Sequence, residues 1–182
     1  VRVAQGEVPK LVPLKENGVN FLAPVWEGQK TGWFYDHRLN RRRVQKLAHG
    51  KRVLDVFSYT GGWGVQAAVA GAEAVICVDA SAQALDLVDQ QAALNGVSDK
   101  VKSLKGDAFT TMRQLHEEGE RFDMVIIDPP AFIARRKDIK AGELAYQRAN
   151  QLAMRLLKPE GILVSASCSM HLERTRLTQL LQ

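Results

Sequence analysis

The sequence predicts an α/β fold with a mostly parallel, doubly wound sheet, and three observations support this prediction. Apolar runs of strand length alternate with stretches of helical length from Val53 onward. These runs are continuously apolar rather than alternating, which is typical of parallel strands buried on both faces. A glycine-rich turn at residues 58–64 joins the first run to a helix, so that backbone N–H groups surround a crevice. The sheet is therefore predicted to be Rossmann-like and to bind a nucleotide.

Strands and helices can be assigned along the chain. We predict strands at residues 53–57, 74–79, 101–104, 124–127 and 162–167. We predict helices at residues 37–49, 63–70, 82–94, 108–116 and 142–157, and a further helix beginning near His171. Asp36 and Ser81 are suited to cap the first and third helices, because their side chains can accept a hydrogen bond from a backbone N–H.

The N-terminal part of the chain carries the signals of a β-hairpin. Asn17 and Gly18 lie between short apolar runs at residues 11–14 and 19–22, and Asn-Gly is the strongest short signal for a tight hairpin turn. A further, aromatic strand is expected to end at Tyr35. We therefore divide the chain into a hairpin extension, residues 1–35, and an α/β domain, residues 36–182.

Length and composition are those of a single globular domain. The chain has 182 residues, of which 25% are charged, and its apolar runs are shorter than a membrane span. It carries two cysteines, too few for a disulfide framework, which favours a reducing, cytoplasmic location. The formal net charge of +5 is modest support for a polyanionic partner. We expect no membrane association, and a homodimer stays an open alternative to a monomer.

The glycine-rich turn leaves two nucleotides open. Gly62, Gly64 and Ala67 have the spacing of a dinucleotide fingerprint, which would bind NAD. However, residues 58–61 separate these glycines from the strand, whereas the first glycine of the fingerprint should follow its strand directly. Asp55 inside the strand suits a cationic ligand, such as the sulfonium and amino groups of S-adenosylmethionine. The stretch favours S-adenosylmethionine over NAD, and a turn that binds no ligand is the third alternative.

Acidic residues follow three of the predicted strands, at the edge where a parallel sheet binds its ligands. Asp79 could accept hydrogen bonds from both hydroxyl groups of a ribose, or could stabilise the next helix N-terminus. Asp107 could accept from an adenine amino group or cap the helix that follows it. Asp128 is held extended by Pro129 and could accept from the amino group of a base, or could be a solvated acid in a rigid turn.

The two cysteines differ in their surroundings. Cys77 lies within an apolar run and is expected in the core. Cys168 follows the fifth strand, ahead of the helix expected near His171, whose N-terminus would lower the pKa of the thiol. A buried, unreactive Cys168 is the alternative. Neither cysteine has a partner at metal-ligand spacing and the four histidines are scattered, so we predict no metal.

Six segments, in this order, give the chain a specific resemblance. They are Glu16-Asn17-Gly18, residues 28–32, Asp36-His37-Arg38-x-x-Arg41, residues 55–62, Asp128-Pro129-Pro130-x-Phe132 and Ser167-Cys168-Ser169. With this set the chain resembles the class I S-adenosylmethionine-dependent methyltransferases that make 5-methylcytosine in large-subunit ribosomal RNA. Members usually begin with a small RNA-binding module of the PUA type and continue for two strands beyond the fifth. The resemblance therefore implies a truncated S-adenosylmethionine-binding domain at residues 36–182.

The resemblance also implies roles for individual residues. Together with the residues argued above, it places in the donor site Gln29, Lys30, Thr31, Gly32, Arg38, Asp55, Phe57, Ser58, Tyr59, Gly61, Asp79, Ala80, Ser81, Asp107, Ala108 and Asp128. The RNA side would include Pro129, Pro130, Phe132, Arg135 and Arg41, and basic residues at 41–46 and 135–137 either contact phosphates or form a solvated face. Cys168 is the implied nucleophile, and Asp128 the implied partner of the target cytosine.

These two side chains would make carbon 5 of cytosine reactive enough to accept a methyl group. Carbon 5 is too weakly nucleophilic to attack a sulfonium methyl group unaided, and a thiolate that adds at carbon 6 raises the electron density on carbon 5. Asp128, bonded to the N3 and amino edge, would stabilise the activated ring. The cytosine must leave any base stack to receive the thiolate, so base flipping or a single-stranded target is expected.

Three other functions stay open on sequence alone. A related methyltransferase acting on a guanine nitrogen would not need Cys168, because a ring nitrogen is already nucleophilic. An NAD-dependent oxidoreductase would use the same turn for a dinucleotide. A non-catalytic RNA-binding protein would bind RNA without the methyl donor.

Overall fold

The structure is a computed structural model that describes residues 6–26 and 32–182. An antiparallel hairpin of β1 (Leu11–Glu16) and β2 (Val19–Pro24) precedes α1 (Arg38–Leu47). There follow β3 (Arg52–Val56), α2 (Gly64–Val69), β4 (Ala74–Asp79), α3 (Ala82–Leu94), β5 (Val101–Lys105), α4 (Ala108–Glu117), β6 (Phe122–Ile127), α5 (Ile139–Leu156), β7 (Leu157–Ser165) and α6 (Arg174–Leu180). This alternation confirms the predicted α/β fold. Within the described residues, no helix is both long and apolar enough to span a membrane.

Five strands form one parallel sheet in the order β5-β4-β3-β6-β7. The central strand is β3, in which Val53, Leu54 and Val56 are fully buried, as their continuous apolar run predicts. The chain first builds from β3 through β4 to β5, and then returns to the other side of β3 for β6 and β7. Because the direction reverses between β3 and β6, the loops after these strands leave a crevice at the carboxyl edge of the sheet.

The hairpin packs on the same core as the sheet. Asn17 and Gly18 both have positive φ, 51° and 86°, and form the tight turn that the sequence predicts. Phe21 is fully buried in a cluster that also contains apolar residues of α2 and α3. The side-chain amide of Gln91 on α3 donates to the carbonyl of Leu22 and accepts from its N–H, both at 2.9 Å. The predicted extension is therefore joined to the α/β part by a shared core.

A buried ion pair connects the hairpin to α1. Glu16, at the end of β1, is 1% exposed and Arg41 is 4% exposed. The guanidinium donates to the carboxylate at 2.6 Å from Nε and 3.0 Å from Nη2, and Glu16 also accepts from Trp33 and Gln66. Burial raises the pKa of Glu16, but the hydrogen bonds from Arg41 and Gln66 outweigh it, so the net pKa lies below its ordinary value. Arg41, which the sequence places on the RNA side, thus directs Nε and Nη2 of its guanidinium to Glu16.

Arg41→Met is expected to destabilise the fold by about 3–5 kcal/mol, because it leaves the Glu16 carboxylate buried without its charged partner. Urea unfolding followed by circular dichroism measures this loss. The double variant Glu16→Gln/Arg41→Met removes both charges and should recover part of the stability. A loss below about 1 kcal/mol in Arg41→Met, the range of exposed pairs, would contradict a buried pair.

The last strand begins earlier than predicted. It starts at Leu157 rather than Ile162, because Leu157 already pairs with Phe122 of β6. The register shifts between Phe122 and Met124, and Glu160 takes a positive φ of 62° where the extra residues are accommodated. Periodicity does not reveal such a bulge, since the bulged residues are polar.

Three predictions near the ends of elements are wrong. Residues 33–35 form no strand, because Trp33 turns into the core and is only 6% exposed. The N-cap of α1 is His37, so Asp36 accepts from the N–H of its neighbour and does not cap the helix. The last helix begins at Arg174 rather than near His171. In contrast, the Ser81 hydroxyl accepts from the N–H of residue 84, as predicted for the cap of α3.

Candidate active site

A cavity of about 360 Å³ opens at the carboxyl edge of the sheet, where the loops after β3 and β6 diverge. Its wall consists of Trp33, Phe34, Asp36, Arg41, Phe57, Ser58, Tyr59, Thr60, Gly62, Trp63, Val78, Asp79, Ala80, Asp107, Ala108, Asp128, Pro129, Pro130 and Cys168. The volume lies in the range of small-molecule sites, and aromatic rings with a few carboxylates are a typical lining. The crevice that the topology creates is therefore a candidate ligand site.

The turn after β3 holds two residues in a conformation that glycine adopts more easily. Phe57 and Tyr59 have φ of 63° and 49°, in the left-handed region, at a cost of about 1–2 kcal/mol each. In this conformation the Tyr59 N–H donates to Asp79 Oδ2 at 2.9 Å. Ser58 between them is 4% exposed, and its Oγ has no hydrogen-bond partner within the described residues. Local strain and an unpartnered hydroxyl on a cavity wall are features of a ligand site.

Two acidic residues after β4 and β5 face the cavity. Asp79 accepts from the N–H groups of Tyr59 and Ser81 at 2.9 Å each, one on each carboxylate oxygen. Each oxygen keeps a second lone pair for a ligand hydroxyl. Asp107 caps α4 by accepting from Thr110 N at 2.9 Å, and this backbone hydrogen bond holds the pKa of the carboxyl below its ordinary value. Asp107 is thus a cap that also lines the cavity.

Asp128 follows β6 and is held by side chains from two other elements. Its Oδ2 accepts from Trp63 Nε1 at 2.9 Å, and its Oδ1 lies 3.7 Å from His37 Nε2. The Asn40 amide nitrogen lies 3.1 Å from Nδ1 of His37, so the ring lies between Asn40 and Asp128. The Asp128 side chain stays 23% exposed, so a ligand can still reach it.

Cys168 lies in the loop after β7 and lines the same cavity as Asp128. It is exposed, and its Sγ lies 3.7 Å from the carbonyl oxygen of Pro129, in the loop that Asp128 begins. Cys77, by contrast, is fully buried, and burial raises the pKa of its thiol, as expected of a core residue. The helix predicted to activate Cys168 begins only at Arg174, six residues after the thiol rather than directly after it.

Asp55 lies behind the turn rather than on the cavity wall. It is fully buried; Oδ2 accepts from Gly64 N at 2.8 Å, and Oδ1 has no partner within the described residues. Burial, together with the nearby charges of Asp128 and Asp79, raises the pKa of Asp55 to about 8. The carboxyl is therefore mostly protonated at neutral pH, which does not fit the predicted contact with a cationic ligand. Asp55 instead anchors the start of α2.

Asp55→Asn should flatten the pH dependence of stability. The Asp55 pKa is about 8 in the folded chain, against an ordinary value of 3.8. Between these values the folded state holds more protons than the unfolded state, so the free energy of unfolding falls as pH rises, by up to about 1.4 kcal/mol per pH unit. Asparagine does not titrate, and the variant should gain stability relative to the parent at pH 8 compared with pH 5. Urea unfolding at both pH values measures this gain, and an equal gain in the exposed-site variant Asp99→Asn would contradict the assignment.

Several predicted site residues do not line the cavity. They are Gly32, Arg38, Gly61 and Ser81 on the donor side, and Phe132 and Arg135 on the RNA side. Phe132 packs behind the wall, with its ring centroid 6.1 Å from that of Phe57. Arg135 is exposed and pairs with Asp138 at 2.9 Å. Gln29, Lys30 and Thr31 lie outside the described residues. Among residues 6–26 and 32–182, no group of three or more His, Cys, Asp or Glu side chains could hold a metal ion.

Sequence reasoning missed the aromatic frame of the cavity. Trp33, Phe34 and Trp63 line the wall, and the Arg41 guanidinium lies 5.5 and 5.8 Å from the ring centroids of Trp33 and Trp63. A large ring at Trp63, inside a glycine-rich turn, is the one sequence signal that could have indicated a role. The contact of His37 with Asp128 has no comparable signal, because it depends on how α1 is placed.

The cavity lies where the strand order reverses beside β3, and Asp79 ends the neighbouring strand β4. A parallel sheet with these two features is typical of a nucleotide-binding α/β protein. Residues 3–172 match the family model of S-adenosylmethionine-dependent methyltransferases. The chain belongs to this family, which confirms the prediction of S-adenosylmethionine rather than NAD as the cofactor.

Individual relatives agree with this assignment. The chain is 41% identical over 175 residues to ribosomal RNA large subunit methyltransferase I of Aeromonas salmonicida, a match that covers 95% of this chain and 44% of the relative. SMU.776 complexed with S-adenosylhomocysteine is similar in structure, with a TM-score of 0.88 and 25% identity over 98% of this chain and 47% of that one. An S-adenosylmethionine-dependent methyltransferase from Agrobacterium tumefaciens shares the fold, with a TM-score of 0.84 and 23% identity over 99% of this chain and 59% of that one. The chain thus spans less than half the length of the Aeromonas relative.

Proposed function

We propose that this chain is the methyltransferase domain of an enzyme that forms 5-methylcytosine in large-subunit ribosomal RNA. The observation that carries the proposal is the placement of Cys168 and Asp128 on one cavity wall, together with Asp79. A donor site alone would fit any methyltransferase, whereas a thiol and a carboxyl beside it fit chemistry at a pyrimidine carbon. The name of the Aeromonas relative supports ribosomal RNA as the substrate class.

The residues of the cavity fit the methyl donor. Asp79 has an unused lone pair on each carboxylate oxygen for the ribose hydroxyls, and Ser58 offers an unpartnered hydroxyl. Phe57 and Ala108 supply apolar surface for the adenine, next to the Asp107 carboxylate. Bound at these residues, S-adenosylmethionine supplies an electrophilic methyl group.

Asp79→Asn should weaken the binding of S-adenosylhomocysteine about 10- to 100-fold, because it removes one of two charge-assisted acceptors for the ribose. Isothermal titration calorimetry measures the affinity, and Asp89→Asn, which alters an exposed carboxylate on α3, should bind normally. A parallel titration with NADH should show no binding. Unchanged affinity in Asp79→Asn would contradict the ribose assignment.

Cys168 acts as the nucleophile in the proposed mechanism. Its thiolate adds to C6 of cytosine and forms an S–C6 bond, while the electron pair of the C5=C6 bond moves so that C5 becomes nucleophilic. Asp128 accepts from the exocyclic amino group and, in its protonated form, donates to N3, where charge develops. Trp63 keeps this carboxyl oriented. After C5 is methylated, loss of its proton and departure of the thiolate break the S–C6 bond and restore the double bond.

Exposed basic residues lie on two segments that adjoin the site. Arg38 and Arg42 are exposed on α1, whose N-cap residue His37 faces Asp128. Arg136 and Lys137 are exposed in a 3₁₀ turn after the loop that Asp128 begins. We propose these residues as phosphate contacts that guide a flipped or single-stranded cytosine into the cavity.

Nucleoside mass spectrometry tests the proposal. The chain is incubated with S-adenosylmethionine and unmodified large-subunit ribosomal RNA, and 5-methylcytidine is the expected product. A methylated guanosine would favour the nitrogen-methylating alternative, in which Cys168 is dispensable. RNA binding without any methylated nucleoside would overturn a catalytic role.

A cytoplasmic location and a homodimer stay predictions, and sedimentation equilibrium measures the oligomeric state.

A further inference from the structure

A group of buried hydroxyls lies directly behind the cysteine loop. Tyr146 on α5 is fully buried, and its hydroxyl lies 2.8 Å from Ser169 Oγ and 2.9 Å from Ser167 Oγ. These serines are the two neighbours of Cys168 in the chain. The Ser169 N–H donates in turn to Ser167 Oγ at 3.1 Å. One phenolic oxygen therefore tethers the backbone on both sides of the sulfur.

The same group ties the cysteine loop to the loop of Asp128. Ser169 Oγ accepts from the N–H of Ile133, five residues beyond Asp128, at 3.1 Å. These hydrogen bonds are mutually compatible when the Ser167 hydroxyl donates to the Tyr146 hydroxyl oxygen and the Tyr146 hydroxyl donates to Ser169 Oγ. The hydrogen bonds then run in one direction, from the Ser169 N–H through both hydroxyls back to Ser169 Oγ. Each of the three hydroxyl oxygens then accepts a hydrogen bond, and such a network restricts the two loops to a narrow range of arrangements.

Packing fixes the ring of Tyr146 in this position. Its centroid lies 4.8 Å from that of Phe132, and it belongs to a small buried cluster with Ile133 and Leu172. Gly142, one turn earlier on α5, lets the helix approach, because a Cβ there would lie 2.7 Å from the Phe132 carbonyl oxygen. The hydroxyl is therefore placed by α5 together with the packing of the ring against the Asp128 loop.

We propose that Tyr146 is a positioning residue, which sets the place of the Cys168 sulfur relative to Asp128 and the bound base. The inference rests on the proposed function. The backbone of residues 167–169 determines where the Cys168 Sγ lies, including its contact of 3.7 Å with Pro129 O. A nucleophile must lie about 3–3.5 Å from the reacting atom, and a misplacement of about 1 Å can reduce the rate about 100-fold.

Tyr146→Phe tests this role, because it removes the hydroxyl and keeps the ring. We expect kcat for cytosine methylation to fall about 10- to 100-fold, while KM for RNA and the affinity for S-adenosylhomocysteine stay within about twofold. Alkylation by iodoacetamide, followed by peptide mass spectrometry, separates this from a folding defect. Cys168 should react at about the rate of the parent, since a small reagent needs no fixed direction, and buried Cys77 should stay unreactive.

Further variants keep the outcome decisive. Ser167→Ala removes a different link, and combining it with Tyr146→Phe should cause little additional loss, because both act through one network. Ser103→Ala removes a hydroxyl on β5 that donates to Asp89 on α3, outside the cavity wall, and should leave kcat unchanged. Normal kcat in Tyr146→Phe, or loss of activity together with alkylation of Cys77, would overturn the inference. If Cys168→Ala also kept its activity in this assay, the proposed function itself would fail.

Discussion

Cys168→Ala is expected to abolish 5-methylcytosine formation, with a loss of at least about 10⁴-fold in kcat. Without the sulfur, no S–C6 bond forms and C5 stays too weak a nucleophile. Cys168 is the only cysteine among the described residues that line the cavity. The affinity for S-adenosylhomocysteine should change by less than about threefold, since the proposed donor contacts lie in the turn after β3, at the end of β4 and at the start of α4. Transfer of a labelled methyl group and calorimetry measure the two quantities.

Cys77→Ala is the matched control for this variant. It removes the other thiol, which is fully buried against Gly64, and should lower stability without lowering kcat. Full activity in Cys168→Ala would exclude covalent catalysis and favour methylation of a ring nitrogen. Equal losses in the two variants would point to a general effect of thiol removal.

Asp128→Asn is expected to lower kcat about 10²- to 10⁴-fold, while KM for RNA changes little. The amide can still accept from Trp63 and present a donor and an acceptor to the edge of cytosine, so recognition of the base persists. It cannot give up a proton to N3 as the ring accepts electrons from the thiolate. The loss should therefore appear in kcat, which steady-state kinetics at saturating RNA measures directly.

Two further variants sharpen the test at Asp128. Asp128→Ala removes recognition as well, and should raise KM in addition to lowering kcat. Asp86→Asn, which changes an exposed carboxyl on α3, should be indistinguishable from the parent. If Asp128→Asn raised KM and left kcat intact, the carboxyl would only bind the base and would not stabilise the activated ring.

Local signals predicted the architecture well. The sheet follows from continuous apolar runs, and the hairpin from Asn17 and Gly18, whose positive φ only a few residue types adopt readily. The errors arise where tertiary contacts decide. Trp33 leaves the expected strand conformation because its indole donates to buried Glu16, and β7 begins early because Leu157 pairs with β6 across a bulge.

The site was predictable to the extent that its residues follow strands directly. Asp79, Asp128 and Cys168 could be brought together from the sequence, because parallel strands end at a common edge. Trp63, in the turn after β3, bonds Asp128, and Tyr146 on α5 bonds the serines on both sides of Cys168. Both residues are distant in sequence from the groups that they hold. Their partners cannot be deduced without the packing.

Charge alone also misleads about the role of single residues. Arg41 lies in the most basic stretch, yet its guanidinium forms a buried ion pair with Glu16, 25 positions earlier in the chain. No pattern in the sequence predicts this pair. Asp55 looks like a ligand for a cation, but complete burial makes it a neutral acid at pH 7. In both cases the environment of the group decides its chemistry.

The most direct test of a sulfur and a carboxyl acting together on cytosine is to trap the covalent adduct. With RNA that carries 5-fluorocytosine at the target, C5 has no proton to lose after methylation, so the thiolate cannot depart and the S–C6 bond persists. Incubation with S-adenosylmethionine followed by peptide mass spectrometry should show the nucleotide attached to Cys168. Attachment at another residue, or methylation of ordinary RNA with no adduct in the fluorinated RNA, would contradict the mechanism.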